Sequence, residues 1–131
     1  MNAPAAYQVY AETAIISSDP VELTRMLYRA AIEAIRKAAD ALASGDIRER
    51  AHQIGRVQQI LAELLATLDA TKAPELGDRL TRLYEYVLHL LQTGNFEQKV
   101  EPLLSAKKVL ETLLEGWNQC DPANLTMPGA A

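Results

Sequence analysis

The sequence has very little of what most catalytic, secreted or nucleic-acid-binding proteins depend on. A single cysteine, Cys120, among 131 residues excludes an intramolecular disulfide and any CxxC pair, and favours a reducing compartment. No Gly-rich phosphate loop, GxSxG elbow or HExxH motif occurs, and the two histidines fall in different segments without a nucleophile to match. Basic residues do not dominate: 13 Lys and Arg face 17 Asp and Glu, for a net charge of -4. Nothing therefore draws the chain to nucleic-acid backbones or anionic lipid. Apolar runs stay well short of the ~20 residues of a membrane span. The opening Met1–Tyr10 lacks the basic start and apolar run of a signal peptide, so a soluble, cytoplasmic protein is expected. Sustained two-residue alternation is also missing, which removes support for a sheet.

What is present is helical periodicity. With hydrophobic residues at 49% and charged residues at 23%, the chain can bury a core, and its length suits one domain. From Pro20 to Ser44, Leu23, Leu27, Ala30 or Ala31, Ala34, Ala38 and Ala41 or Leu42 follow the spacing of an amphipathic helix. Asp19 is its cap, Pro20 suits its first turn, Glu22 stands at the capping-box position and Gly45 is its stop. A second helix is expected from about Ile47 to Ala70, on Ile47, Ala51, Ile54, Val57, Leu61, Leu64 and Leu68. Pro74 opens a third on Leu76, Leu80, Leu83, Val87 and Leu90, until Gly94 and Asn95 interrupt it. A fourth begins near Phe96 and carries Val100, Leu103 or Leu104, Lys107, Leu110, Leu113 or Leu114 and Trp117, with Pro102 in its first turn or kinking it.

Four such helices joined by short turns predict an all-α, antiparallel up-and-down four-helix bundle over 19–118. Residues 1–18 read as an N-terminal arm with the apolar residues Tyr7, Tyr10, Ile15 and Ile16, and 119–131 as a disordered C-terminal tail. Helices one and three have more apolar surface than one stripe: Tyr28, Ile32, Ile35 and Ala39, and Tyr84, Tyr86, Leu88 and Leu91, lie beside the main rows. Part of that excess is expected to remain exposed for a partner. Leu83, Val87 and Leu90 are assigned to the core, while Tyr84 and Tyr86 are divided between core and groove. Trp117 reads as an aromatic seal at the end of the bundle.

Ordered blocks along the chain carry a resemblance. Tyr7-Gln8 with Tyr10, Ser18-Asp19-Pro20-Val21-Glu22-Leu23 and Met26-Leu27-Tyr28 are followed by Ile60-Leu61-Ala62-Glu63-Leu64, Thr67-Leu68-Asp69, Leu80-Thr81-Arg82-Leu83-Tyr84-Glu85-Tyr86 and Leu113-Leu114 with Trp117. In this order they resemble the flagellar secretion chaperone family FliS, over roughly Tyr7 to Trp117. The chain departs from many relatives at Arg29 and Ala30, where they have an acidic residue and Gly, and at Lys72-Ala73-Pro74, where they have a Gly-rich turn.

The resemblance implies a cytoplasmic chaperone that holds the disordered C-terminal segment of flagellin, prevents premature polymerisation and helps present it to the export gate. It also implies an arm that lies over the binding groove through Tyr7 and Tyr10 until the client displaces it. The partner-binding residues expected on this basis are Tyr7, Tyr10, Ile15, Ile16, Tyr28, Tyr84, Tyr86 and Leu88. Catalytic residues, cofactors, metals, nucleic acid and membrane insertion are not expected.

Two other readings stand beside this one. Glu49-Arg50-Ala51-His52 matches one Glu-x-x-His half of a di-iron bundle, but the second half is missing, and Glu85 with His89 reads as a surface pair. The remaining alternative is a generic four-helix regulator that binds another secreted or signalling protein.

Overall fold

A computed structural model describes residues 19–68 and 73–119. The described residues form four helices, α1 (Pro20–Ser44), α2 (Ile47–Thr67), α3 (Pro74–Glu97) and α4 (Val100–Asn118), and no strand. Helix α1 packs on α2 and α4, and α3 packs on the same two, so α1 and α3 face each other across the diagonal. The residues expected to form the arm, and the tail from Cys120 onward, lie outside the described residues.

Local chemistry sets the ends of α1 where expected. The Asp19 carboxylate accepts the Val21 N–H at 3.0 Å, which satisfies one of the amides that a helix start leaves without a partner. The two carboxylate oxygens of Glu22 receive Arg25 and Arg29, each at 3.2 Å. Gly45 ends the helix with φ 77°, and its N–H turns back to the Ala41 and Leu42 carbonyls. That left-handed conformation is cheap only for glycine. Asp46 follows at once and caps α2, accepting the Glu49 N–H at 3.1 Å. Gln98 and Lys99 make a similarly short link between α3 and α4, with Gln98 left-handed at φ 56°. Links of this length leave room only for antiparallel neighbours.

Several details depart from the sequence expectations. Helix α2 stops at Thr67 rather than near Ala70. Its buried face is Arg50, Gln53, Ile54, Val57, Ile60, Leu61 and Leu64, while Ile47 and Ala51 point outward. Near its start, Arg50 reaches across to α3 and donates to Asn95 Oδ1 at 2.8 Å, so a polar link occupies the position that an apolar stripe suggested. On α3 the buried row is Leu80, Tyr84, Val87, Leu91 and Gly94, with Leu83 and Leu90 half-buried at its flanks.

Gly94 and Asn95 do not interrupt α3, which runs on to Glu97. Gly94 is instead the point of closest approach to α4: a Cβ there would sit 2.9 Å from Leu103 Cδ2 and 3.0 Å from the Lys99 carbonyl oxygen. Phe96 therefore belongs to the last turn of α3, and α4 starts only at Val100, with Pro102 in its first turn.

Candidate functional site

The core itself contains the first site feature. Tyr28 on α1 and Tyr84 on α3 are both buried, and their hydroxyls hydrogen-bond to each other across the bundle diagonal. Their rings lie 6.2 Å apart, and the Trp117 ring of α4 stands 6.4 Å from that of Tyr28. Three helices thus meet in one aromatic cluster. Burial pushes the Tyr28 hydroxyl above the ordinary tyrosine range, partly offset by its hydrogen bonds with Tyr84 and Trp117. Burial, and then the neighbouring Tyr28, raise that of Tyr84 as well. Both phenols stay neutral at physiological pH.

Of the expected partner-binding residues, Tyr7, Tyr10, Ile15 and Ile16 lie outside the described residues. Tyr28 and Tyr84 are sealed in the core, so direct contact with a partner requires that they be uncovered. Tyr86 is 50% exposed and Leu88 half-buried, both on α3. Trp117 is half-buried against the core, and its carbonyl oxygen accepts from Arg25 Nε at 3.1 Å, which ties the last turn of α4 to the first turns of α1.

Large apolar side chains also remain exposed where the sequence reading did not look for a site. Ile47 is 66% exposed, Phe96 88% and Leu104 48%. All three stand at the end of the bundle that carries the two short links. The sequence reading places Ile47 on the stripe of the second helix and Phe96 at the start of the fourth, and only the choice between Leu103 and Leu104 hints at one facing out.

A shallow groove of about 400 Å³ runs between α1 and α4, lined by Arg29, Ile32, Glu33, Glu111, Leu114, Glu115 and Asn118. Ile32 and Leu114 are half-buried and form its apolar floor. On its rim Glu33 is held by Arg36 at 2.6 Å, which draws its carboxyl below the usual range, and Arg29 is held by Glu22. Glu111 and Glu115 are in no ion pair with a described residue. The signal for this groove in the sequence was Ile32, noted beside the main stripe of the first helix.

Metal chemistry finds no cluster here: among the described residues no group of three or more His, Cys, Asp and Glu is arranged to hold an ion. In the Glu49–His52 motif, Glu49 accepts from Gln53 Nε2 at 3.4 Å and His52 is exposed. No helix among the described residues is long and apolar enough to cross a membrane.

Comparison with known proteins gives one consistent result. The family model described as "Flagellar protein FliS" matches residues 2–124. The flagellar secretion chaperone FliS of Campylobacter jejuni is 30% identical over 114 residues, which cover 87% of this chain and 89% of that protein. Its namesake from Salmonella typhimurium is 28% identical over 116 residues, covering 88% and 86%. That of Bacillus subtilis is 26% identical over 113 residues, covering 86% and 84%.

Proposed function

This chain belongs to the FliS family of flagellar proteins, and we propose that it is a cytoplasmic export chaperone that binds the C-terminal segment of flagellin, keeps it from polymerising and assists its delivery to the flagellar type III export apparatus. The match to flagellar secretion chaperones over nearly the whole chain carries this reading. Surface physics supports it. A bundle that leaves Tyr86, Phe96, Ile47 and Leu104 in water, and an apolar-floored groove along one seam, keeps surface available that a client can cover. A disordered client wraps such a surface while giving up ~2 to 5 kcal/mol to its own ordering, which keeps the complex releasable.

In this proposal the protein acts by binding and not by catalysis, and it needs no cofactor. Residues 1–18 form an arm whose Tyr7, Tyr10, Ile15 and Ile16 compete with the client, and Tyr86 and Leu88 belong to the surface that the client covers. The export gate is a second, later partner. The test is polymerisation of the flagellin of the same organism, followed by light scattering with and without an equimolar amount of this protein. Suppression of filament growth is expected; growth at an unchanged rate contradicts the proposal.

A further inference from the structure

Arg50, in the first turn of α2, is buried to within 8% of full cover, yet no carboxylate of a described residue pairs with it. Arginine is seldom buried to that degree without an anion. Its Nε donates to Asn95 Oδ1, a neutral acceptor. The remaining N–H groups, at Nη1 and Nη2, bond to no described residue, and neither nitrogen is sealed from solvent. The acids of the same corner are engaged elsewhere: Asp46 accepts the Glu49 N–H, Glu49 accepts from Gln53, and Glu97 pairs with Lys99 at 3.6 Å. A second, independent feature coincides with this guanidinium. Ile47, one turn before Arg50, and Phe96, next to Asn95, are the two most exposed large apolar side chains among the described residues.

We propose that the corner between the start of α2 and the end of α3 binds a carboxylate of the client: an acidic side chain seats on Nη1 and Nη2 of Arg50, and apolar residues beside it cover Ile47 and Phe96. The planar fork of a guanidinium matches a carboxylate with two parallel hydrogen bonds. The inference rests on the export-chaperone reading and adds the kind of sequence that this corner accepts, an acid flanked by apolar residues. Reach argues against the side chains of this chain itself. Glu12, the acid of residues 1–18, stands seven residues before Asp19, a span of at most about 25 Å. Arg50, beside the end of α1, is roughly 30 Å along the bundle from Asp19. Asp69 and Asp121 follow within two residues of Leu68 and Gln119, at the opposite end of the bundle from Arg50. A second copy docked symmetrically through this corner offers Arg50 only Asp46, Glu49 and Glu97 of the same corner, which are already engaged, and sets one Arg50 toward the other. A segment of another molecule that carries its own free acid meets none of these objections.

The test uses the full-length chain and three variants. Arg50→Gln keeps a donor for Asn95 but no charge, and Asn95→Asp gives Arg50 a carboxylate within the chain. Arg48→Gln, the control, removes an exposed cation from the same turn. Each is titrated with the C-terminal segment of its own organism's flagellin, and thermal melting checks the fold. Arg50→Gln should bind about tenfold more weakly than the wild type, the scale of one hydrogen bond to a charged group. Asn95→Asp should also bind more weakly while melting no lower than the wild type, a combination that a merely structural Arg50 does not produce. Arg48→Gln should follow the wild type. Wild-type affinity in both Arg50→Gln and Asn95→Asp overturns the carboxylate proposal and leaves the chaperone reading intact. Tighter binding by Arg50→Gln assigns the guanidinium to a carboxylate of this chain, the terminal one included, and overturns it. A wild-type dimer that Arg50→Gln loses assigns the corner to a second copy and likewise overturns it. If the wild type does not bind this segment, the chaperone reading fails and the carboxylate proposal fails with it.

Discussion

The hydroxyls of Tyr28 and Tyr84 hydrogen-bond to each other inside the bundle, joining two helices that are otherwise diagonal neighbours. A buried hydroxyl without a partner costs roughly 1 to 3 kcal/mol, and the Tyr84 hydroxyl depends on Tyr28 for its hydrogen bond. Tyr84→Phe should lower stability by about 1 kcal/mol in urea unfolding, because Tyr28 retains Trp117 as a partner. The double change Tyr28→Phe/Tyr84→Phe should cost less than the sum of the single changes, since it leaves neither Tyr28 nor Tyr84 with a lone hydroxyl. Strict additivity would show that the two hydroxyls are not coupled.

The same pair predicts a pH dependence. Burial raises both hydroxyls above the ordinary tyrosine range of about 10 in the folded state, so the unfolded chain releases these protons first. Stability is then fully present below about pH 10 and falls as pH rises above it, because the folded state binds more protons than the unfolded state there. Melting temperature measured from pH 9 to 12 should drop more steeply for the wild type than for the double phenylalanine variant. Parallel curves would contradict the assignment.

A third prediction concerns the contact between α3 and α4. Alanine is the better helix former by about 1 kcal/mol, yet Gly94→Ala should destabilise by roughly 1 to 3 kcal/mol, because its methyl meets Leu103 and the Lys99 carbonyl at overpacked distances. Combining it with Leu103→Ala, which clears part of the space, should give a loss smaller than the two added together. A stabilised Gly94→Ala protein would mean that the helices do not approach as closely as described.

How far the fold was legible in the sequence depends on the kind of signal. Asp19, Pro20 and Gly45 gave the ends of α1 because caps and left-handed stops need particular residue types. The rotation of α3 was harder. Its apolar residues Leu83, Tyr84, Val87, Leu88, Leu90 and Leu91 cover a wide arc, and periodicity alone does not select Tyr84 and Leu91 over Leu83 and Leu90 as the innermost row. Packing against α2, α4 and Tyr28 selects them. Gly94 was read as a stop since glycine disfavours helix interiors, but the close approach of Leu103 rewards the missing side chain. Arg50 was invisible as a buried residue because its partner Asn95 is 45 positions away. Of the candidate site, the surplus apolar residues on α1 and α3 were legible as a set, but which of them face water was not.

The proposed arm leads to a kinetic prediction. If residues 1–18 compete with the client, deleting them raises the fraction of molecules open to binding and hence the apparent affinity. Stopped-flow association with the flagellin segment should be faster for the truncated protein. Unchanged rate and affinity would make the arm a passive extension and remove Tyr7 and Tyr10 from the partner-binding set.

Calorimetric titration with the C-terminal segment of the flagellin from the same organism, repeated over a range of temperatures, tests the central claim most directly. Binding at about one to one with a clearly negative heat-capacity change is predicted, because apolar surface on both molecules is buried as the segment orders. The absence of binding at micromolar concentrations would contradict it.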